Sequence, residues 1–124
     1  MRSISRNINE GFRVGCVTVS VDLISNGKVR LIIGTPKGIP IHRLETYRVL
    51  FKGRAGSKPR NSVWKLKPKF SQCAEGVTYD AIVREANEGV VIGDNVLIRI
   101  NDIGRDNTKF GIRAPEDVEI ALIN

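Results

Sequence analysis

The chain is poor in the residues that enzymes and metal centres rely on. Its one histidine, His42, leaves no second imidazole for a metal cluster, and no Ser-His-Asp spacing or nucleophile elbow surrounds it. Acidic residues stand singly apart from Glu116-Asp117, which follows a proline and reads as a turn, so no carboxylate pair supports glycosidase or metal-dependent nuclease chemistry. Gly53-Arg54-Ala55-Gly56-Ser57-Lys58 misses the GxxxxGK[ST] spacing of a phosphate loop. No enzyme is expected, and no metal or other cofactor. The two cysteines, Cys16 and Cys73, sit far apart and outside any CxxC or Cys/His spacing, so neither zinc nor a disulfide framework is indicated and free, buried or half-buried thiols are expected. No apolar run approaches the ~20 residues of a membrane-spanning helix. The polar start MRSISRNINEGF leads into nothing like a signal peptide, which makes the cytoplasm the expected location.

What remains is a globular composition, 41% hydrophobic and 27% charged, over 124 residues. That length suits one ordinary domain, or two units too small to be stable unless they share a core. The net charge of +7 is unevenly placed. Between Thr46 and Ala74 lie eight basic residues (Arg48, Lys52, Arg54, Lys58, Arg60, Lys65, Lys67 and Lys69) and no acidic one, leaving 12 basic against 13 acidic groups elsewhere. A local basic segment suits an anionic partner such as RNA.

The chain repeats itself. RNINEGFRVG at 6–15 is answered by REANEGVVIG at 84–93, an offset of 78. After a one-residue difference Val17 matches Val96, Ile24 matches Ile103, Ile33 matches Ile112, Pro36 matches Pro115 and Ile41 matches Ile120. Each copy reads as β. In the first, Val17, Val19 and Val21 alternate with Thr18 and Ser20, the period of a half-buried strand. Asn26-Gly27 accepts the positive φ angles of a type I′ turn and leads into VRLII at 29–33. Gly34 to Gly38 then breaks the strand before Ile39 and Ile41 resume. In the second copy Val96, Ile98 and Ile100 alternate, GRDNT at 104–108 turns, and Ala114 to Asp117 is the break before Val118 and Ile120. Five short strands per copy are predicted, with a short helix over LETYRVLFKG after Arg43 in the first copy. Between the copies Trp64, Leu66 and Phe70 alternate with Lys65, Lys67 and Lys69, either as an edge strand packed on the core or as a basic ribbon that tracks phosphates.

The repeat unit resembles the carbon storage regulator family of bacterial translational regulators (CsrA, RsmA). The residues that carry the resemblance are Ile4, Arg6, Glu10, Gly15, Pro36, Lys37 and IPIHRLETY at 39–47 in the first copy. In the second they are Ile82, Arg84, Glu88, Gly93, Asp94, Ala114, Pro115, Val118 and Ile120. The resemblance implies a mainly β fold in which two five-stranded units interleave. Here both lie in one chain, as an intramolecular pseudo-dimer: a first unit at 1–50, a basic insert at 51–78, and a second unit at 79–124 without the helix. An insert of ~30 residues at ~3 Å each is long enough to permit that pairing. A monomer with internal pseudo-two-fold symmetry is expected, with a swapped dimer as the alternative.

The resemblance further implies binding of GGA in single-stranded loops of mRNA leaders, or of small regulatory RNA, at sites joining the first strand of one unit to the last of the other. One site would combine Ile82 and Arg84 with Ile39, Ile41, His42 and Arg43. The other would combine Ile4 and Arg6 with Val118, Ile120, Ala121 and Leu122, and so lacks the last-strand His-Arg. One competent and one degenerate site follow as the expectation, with Lys65, Lys67 and Lys69 as candidate phosphate contacts. Several residues depart from the family: Asp80 and Glu85 put acid near Arg84, Asn7 replaces a common basic residue, and Gly15-Cys16 replaces Gly-Asp. Two other readings fit the same residues: an RNA-binding-deficient decoy that engages protein partners, such as an antagonist, and a nonspecific nucleic-acid binder acting through the basic insert.

Overall fold

The computed structural model describes residues 2–50, 76–93 and 95–123; the basic insert, with Lys65, Lys67 and Lys69, lies outside them, as do Asp94 and Cys73. The first half forms β1 (Arg2–Asn7), β2 (Gly11–Val14), β3 (Val17–Ser25), β4 (Lys28–Pro36), β5 (Ile41–Arg43) and the helix α1 (Leu44–Leu50). The second half repeats the five strands as β6 (Val77–Glu85), β7 (Gly89–Ile92), β8 (Val96–Ile103), β9 (Asn107–Arg113) and β10 (Ile120–Ile123).

These strands do not form one sheet per half. Among the described residues there are two five-stranded sheets, ordered β1-β9-β8-β7-β5 and β10-β2-β3-β4-β6. The three central strands of each sheet come from one half and both edge strands from the other, so the mainly β, interleaved architecture expected from the sequence is present. Each half alone would leave a three-stranded sheet with two open edges and a bare apolar face, too little to be stable at this size. Interleaving closes the core from both sides. Val17, Val19 and Val21 of β3 and Val96, Ile98 and Ile100 of β8 are buried, while Thr18 and Ser20 between the first three are only half-buried. Phe12 of one sheet meets Phe110 of the other edge-on, ring centroids 5.0 Å apart, both fully buried. Aromatic pairs in this geometry contribute beyond the area they bury.

The repeat is legible in the turns. Asn9 and Asn87 both take positive φ (72° and 70°), each in an acidic turn where Glu10 and Glu88 reach back to the backbone N–H of Asn7 and Glu85. Asn26 and Gly27 have φ of 54° and 74°, as a type I′ turn requires. A register irregularity interrupts β3 between Val21 and Leu23 and β8 between Ile100 and Asp102, matching positions in the two halves.

Two details differ from the sequence reading. The chain does not break at Gly34-Thr35-Pro36, which stay in β4 and pair with Tyr79, Thr78 and Val77. The N–H of Lys37 donates to Gly76 O, so Pro36 turns its own nitrogen to the other side, where β3 pairing has already ended at Gly34. The missing donor therefore costs no ladder bond, and the break falls at Lys37-Gly38, where Gly38 has φ 92°. Cys16, 8% exposed, is disulfide-bonded rather than a free thiol. Sequence spacing does not report which side chains the fold brings within bonding distance.

Candidate nucleic-acid interface

Interleaving brings the edge strand β5 of one sheet alongside the edge strand β6 of the other. Between them lies a groove of about 460 Å³, lined from β5 and its flanks by Ile39, Pro40, Ile41, His42, Arg43 and Thr46 and from β6 by Asp80, Ala81 and Ile82. Five of the residues expected at the stronger site (Ile82, Ile39, Ile41, His42 and Arg43) thus come together from the two halves of the chain. Arg43 is exposed at the end of β5, where the chain enters α1, and His42 lies against Tyr47 with ring centroids 6.0 Å apart.

The edge of β6 adds backbone groups. The bond from Lys37 N to Gly76 O fixes which residues face β4, so Tyr79, Ala81 and Val83 turn their N–H and C=O groups to the free edge. The Val83 carbonyl already accepts from Arg84 Nε at 2.9 Å. Apolar walls, an edge of backbone donors and acceptors, and a guanidinium at the rim are what unstacked bases require.

Arg84, the sixth expected residue, is placed differently. It is 5% exposed, faces the core side of β6, and does not line the groove. Its Nη1 donates to Glu45 Oε1 at 2.8 Å, to Oε2 at 3.1 Å and to Gly89 O at 3.3 Å, and its Nε stands 3.6 Å from Glu88. Glu45 is the second residue of α1, just after Arg43 and Leu44, so a buried arginine of the second half clamps the helix start of the first. The Arg84 guanidinium holds the Glu45 carboxyl below the usual carboxylate range, helped by a hydrogen bond from the backbone of Glu45 itself. Leu44 packs beside Gly89, which leaves no room for a side chain: a Cβ there would sit 2.8 Å from Ile98 O.

The opposite pair of edges, β1 and β10, carries the weaker expected site. Ile4 is buried in the core opposite Phe110 in register, and Arg6 is 8% exposed. Arg6 Nη2 donates to Ile123 O at 3.0 Å and stands 3.5 Å from Glu10, so this arginine too faces inward. Val118 and Ile120 are half-buried against the core. Ala121 and Leu122 occupy the places of His42 and Arg43, and Leu122 is 56% exposed. Pro40, Thr46, Asp80 and Ala81 of the first groove went unread in the sequence as lining residues. Once β6 is known to be an edge, the neighbours of Ile82 are the signal for Asp80 and Ala81.

Comparison with known proteins bears on the second half. Residues 81–121 match the CsrA family model, described as a global regulator protein family. This segment is similar to a CsrA unit. The translational regulator CsrA of Desulforamulus reducens is 54% identical over 37 residues, covering 30% of this chain and 46% of that protein. The same-named proteins of Brachyspira hyodysenteriae (49% over 37 residues, 30% and 45% covered) and Leptospira biflexa (38% over 39 residues, 32% and 49% covered) are also similar. The chain thus spans about half the length of the curated CsrA relatives it matches. No solved structure matches significantly.

Proposed function

We propose that this chain is a translational regulator made of two CsrA-like units fused in tandem, which binds single-stranded GGA-containing RNA in the β5/β6 groove and carries out no catalysis. The observation that carries the reading is the meeting of Ile39, Ile41, His42 and Arg43 with Ile82 across two sheet edges that only interleaving makes adjacent. Guanine presents two acceptors, O6 and N7, that fit the fork of Arg43, while the free edge of β6 offers backbone groups to the neighbouring base. Arg84 acts from behind: by holding Glu45 it fixes the start of α1 and with it the backbone from which Arg43 projects. Regulation would be steric. Occupancy of GGA in an mRNA leader near the ribosome-binding site blocks initiation.

The β1/β10 edge pair has Leu122 where the first groove has Arg43, which supports one RNA per chain. A fluorescence-anisotropy titration with a hairpin bearing GGA in its loop, beside a loop-scrambled hairpin, tests the reading. Loop-specific binding at one hairpin per chain, lost in Arg43→Ala, is expected. Equal binding of both hairpins with a steep salt dependence would instead assign binding to the basic insert. No binding by folded protein would leave a protein-partner role.

A further inference from the structure

Tyr79 is an exposed aromatic on a strand that already lines the groove. Its residue is 68% exposed, yet the ring is not loose. It lies on the bare backbone of Gly34 across the β4/β6 pair, where a Cβ would stand 2.8 Å from Tyr79 Cε1 and 3.1 Å from Cδ1. The ring is thus supported from below by a glycine. Thr18 Oγ1, 2.6 Å from the same point, covers Gly34 from the β3 side. Ala81, which lines the groove, shares this outer face of β6 two residues along, about 7 Å away. An unstacked chain leaving the groove over the β6 edge reaches the ring within one nucleotide. Asp80, between them in sequence but turned to the opposite face of β6, lines the groove and places a negative charge at its rim.

We propose that Tyr79 is a stacking platform for the base of the nucleotide that flanks the segment held in the groove, extending the RNA site onto the outer face of β6. This rests on the RNA-binding reading above and adds a subsite to it. The first repeat has methionine at the matching position, residue 1, so the sequence supplies an aromatic at this point only on the β5/β6 side. The competing explanation is that the ring merely shields the Gly34 backbone, a known use of aromatics opposite strand glycines. A base stacked on an aromatic contributes enough that truncation is measurable, on the order of tenfold in affinity.

The test uses the full chain and two GGA-loop hairpins, one with 2-aminopurine on the 5′ side of the GGA and one with it on the 3′ side. Wild type should quench one of the two. Tyr79→Phe should keep that quench, while Tyr79→Ala and Tyr79→Leu should lose it and weaken binding about tenfold. The leucine variant still covers Gly34, so its thermal unfolding midpoint near that of wild type separates stacking from shielding. Hairpin binding with neither nucleotide quenched, or with Tyr79→Leu binding as tightly as wild type, overturns the proposal and leaves the groove reading intact. Failure of wild type to bind either hairpin overturns both.

Discussion

The two edge pairs of this molecule, β5/β6 and β1/β10, have the same position in the same topology and differ in what they present. Behind both, an inward arginine from the first strand of one half reaches the last strand of the other or the helix that follows it: Arg84 to Glu45, Arg6 to the carbonyl of Ile123. In front, one rim has His42 and Arg43 and the other Ala121 and Leu122. The repeat has therefore kept the parts that hold the fold together and let the parts that face outward diverge. An arginine identical in both copies is here a packing group, and the exposed guanidinium at a groove rim is the one found in only one copy.

The largest test strikes what the two edge pairs share. Phe12→Ala removes one partner of the inter-sheet aromatic pair and should cost about 3–5 kcal/mol of unfolding free energy, read by chemical denaturation. Because every edge strand leans on that core, the grooves should fail together, and loop-specific RNA binding should disappear with the fold. Loss of binding by a fully folded Phe12→Ala protein would contradict the shared core.

The next changes act on one rim at a time. Arg43→Ala should weaken GGA-loop binding by about 1–3 kcal/mol, with thermal stability unchanged because the side chain is exposed. Leu122→Ala should leave binding as it is. The constructive version is sharper: Ala121→His with Leu122→Arg should raise the stoichiometry, measured by titration calorimetry, from one hairpin per chain to two. A stoichiometry that stays at one would show that the β1/β10 edges lack more than the two side chains.

Removing the clamps separates positioning from contact. Arg84→Ala takes the guanidinium away from Gly89 O and the Glu45 carboxylate and should cost about 1–3 kcal/mol of stability. Arg84→Lys, which keeps the charge but not the fork, should recover only part of this. Arg6→Ala removes the bond to the Ile123 carbonyl and the 3.5 Å contact with Glu10, and should lower stability on the β1/β10 side. Hydrogen exchange on the amides of α1 should quicken in Arg84→Ala and stay unchanged in Arg6→Ala.

The strands and the repeat were legible in the sequence because each rests on a local pattern: alternation of Val17, Val19 and Val21, the Asn26-Gly27 turn, and matched residues at a fixed offset; Ile39, Ile41, His42, Arg43 and Ile82 of the β5/β6 groove were reached only through the family resemblance. The direction of the arginines was not. Arg84 and Ile82 lie on the same face of β6, and whether that face meets solvent or core depends on which strand of the other half covers it. The persistence of β4 through Pro36 was hidden for a like reason, since a proline is tolerated where the neighbouring strand has ended, and that end is a property of the pairing. The disulfide at Cys16 likewise reflects proximity in space.

The smallest expected effect is the dependence of the Arg84 clamp on pH. Glu45 is held below its ordinary value of 4.5 by the guanidinium, so the folded chain binds its proton less readily than the unfolded chain does. The sign follows from linkage: this contribution is complete above the unfolded value and is lost as pH falls through the depressed folded one. The carboxylate is 57% exposed, so solvent screens it and the contribution belongs at the small end for ion pairs. Unfolding free energies of wild type and Glu45→Gln should therefore differ slightly at neutral pH and converge as pH falls through the depressed folded value. The β1/β10 side has a backbone carbonyl where Glu45 stands, so Arg6 should retain that bond through the same acid range, and hydrogen exchange should loosen α1 before it loosens β10.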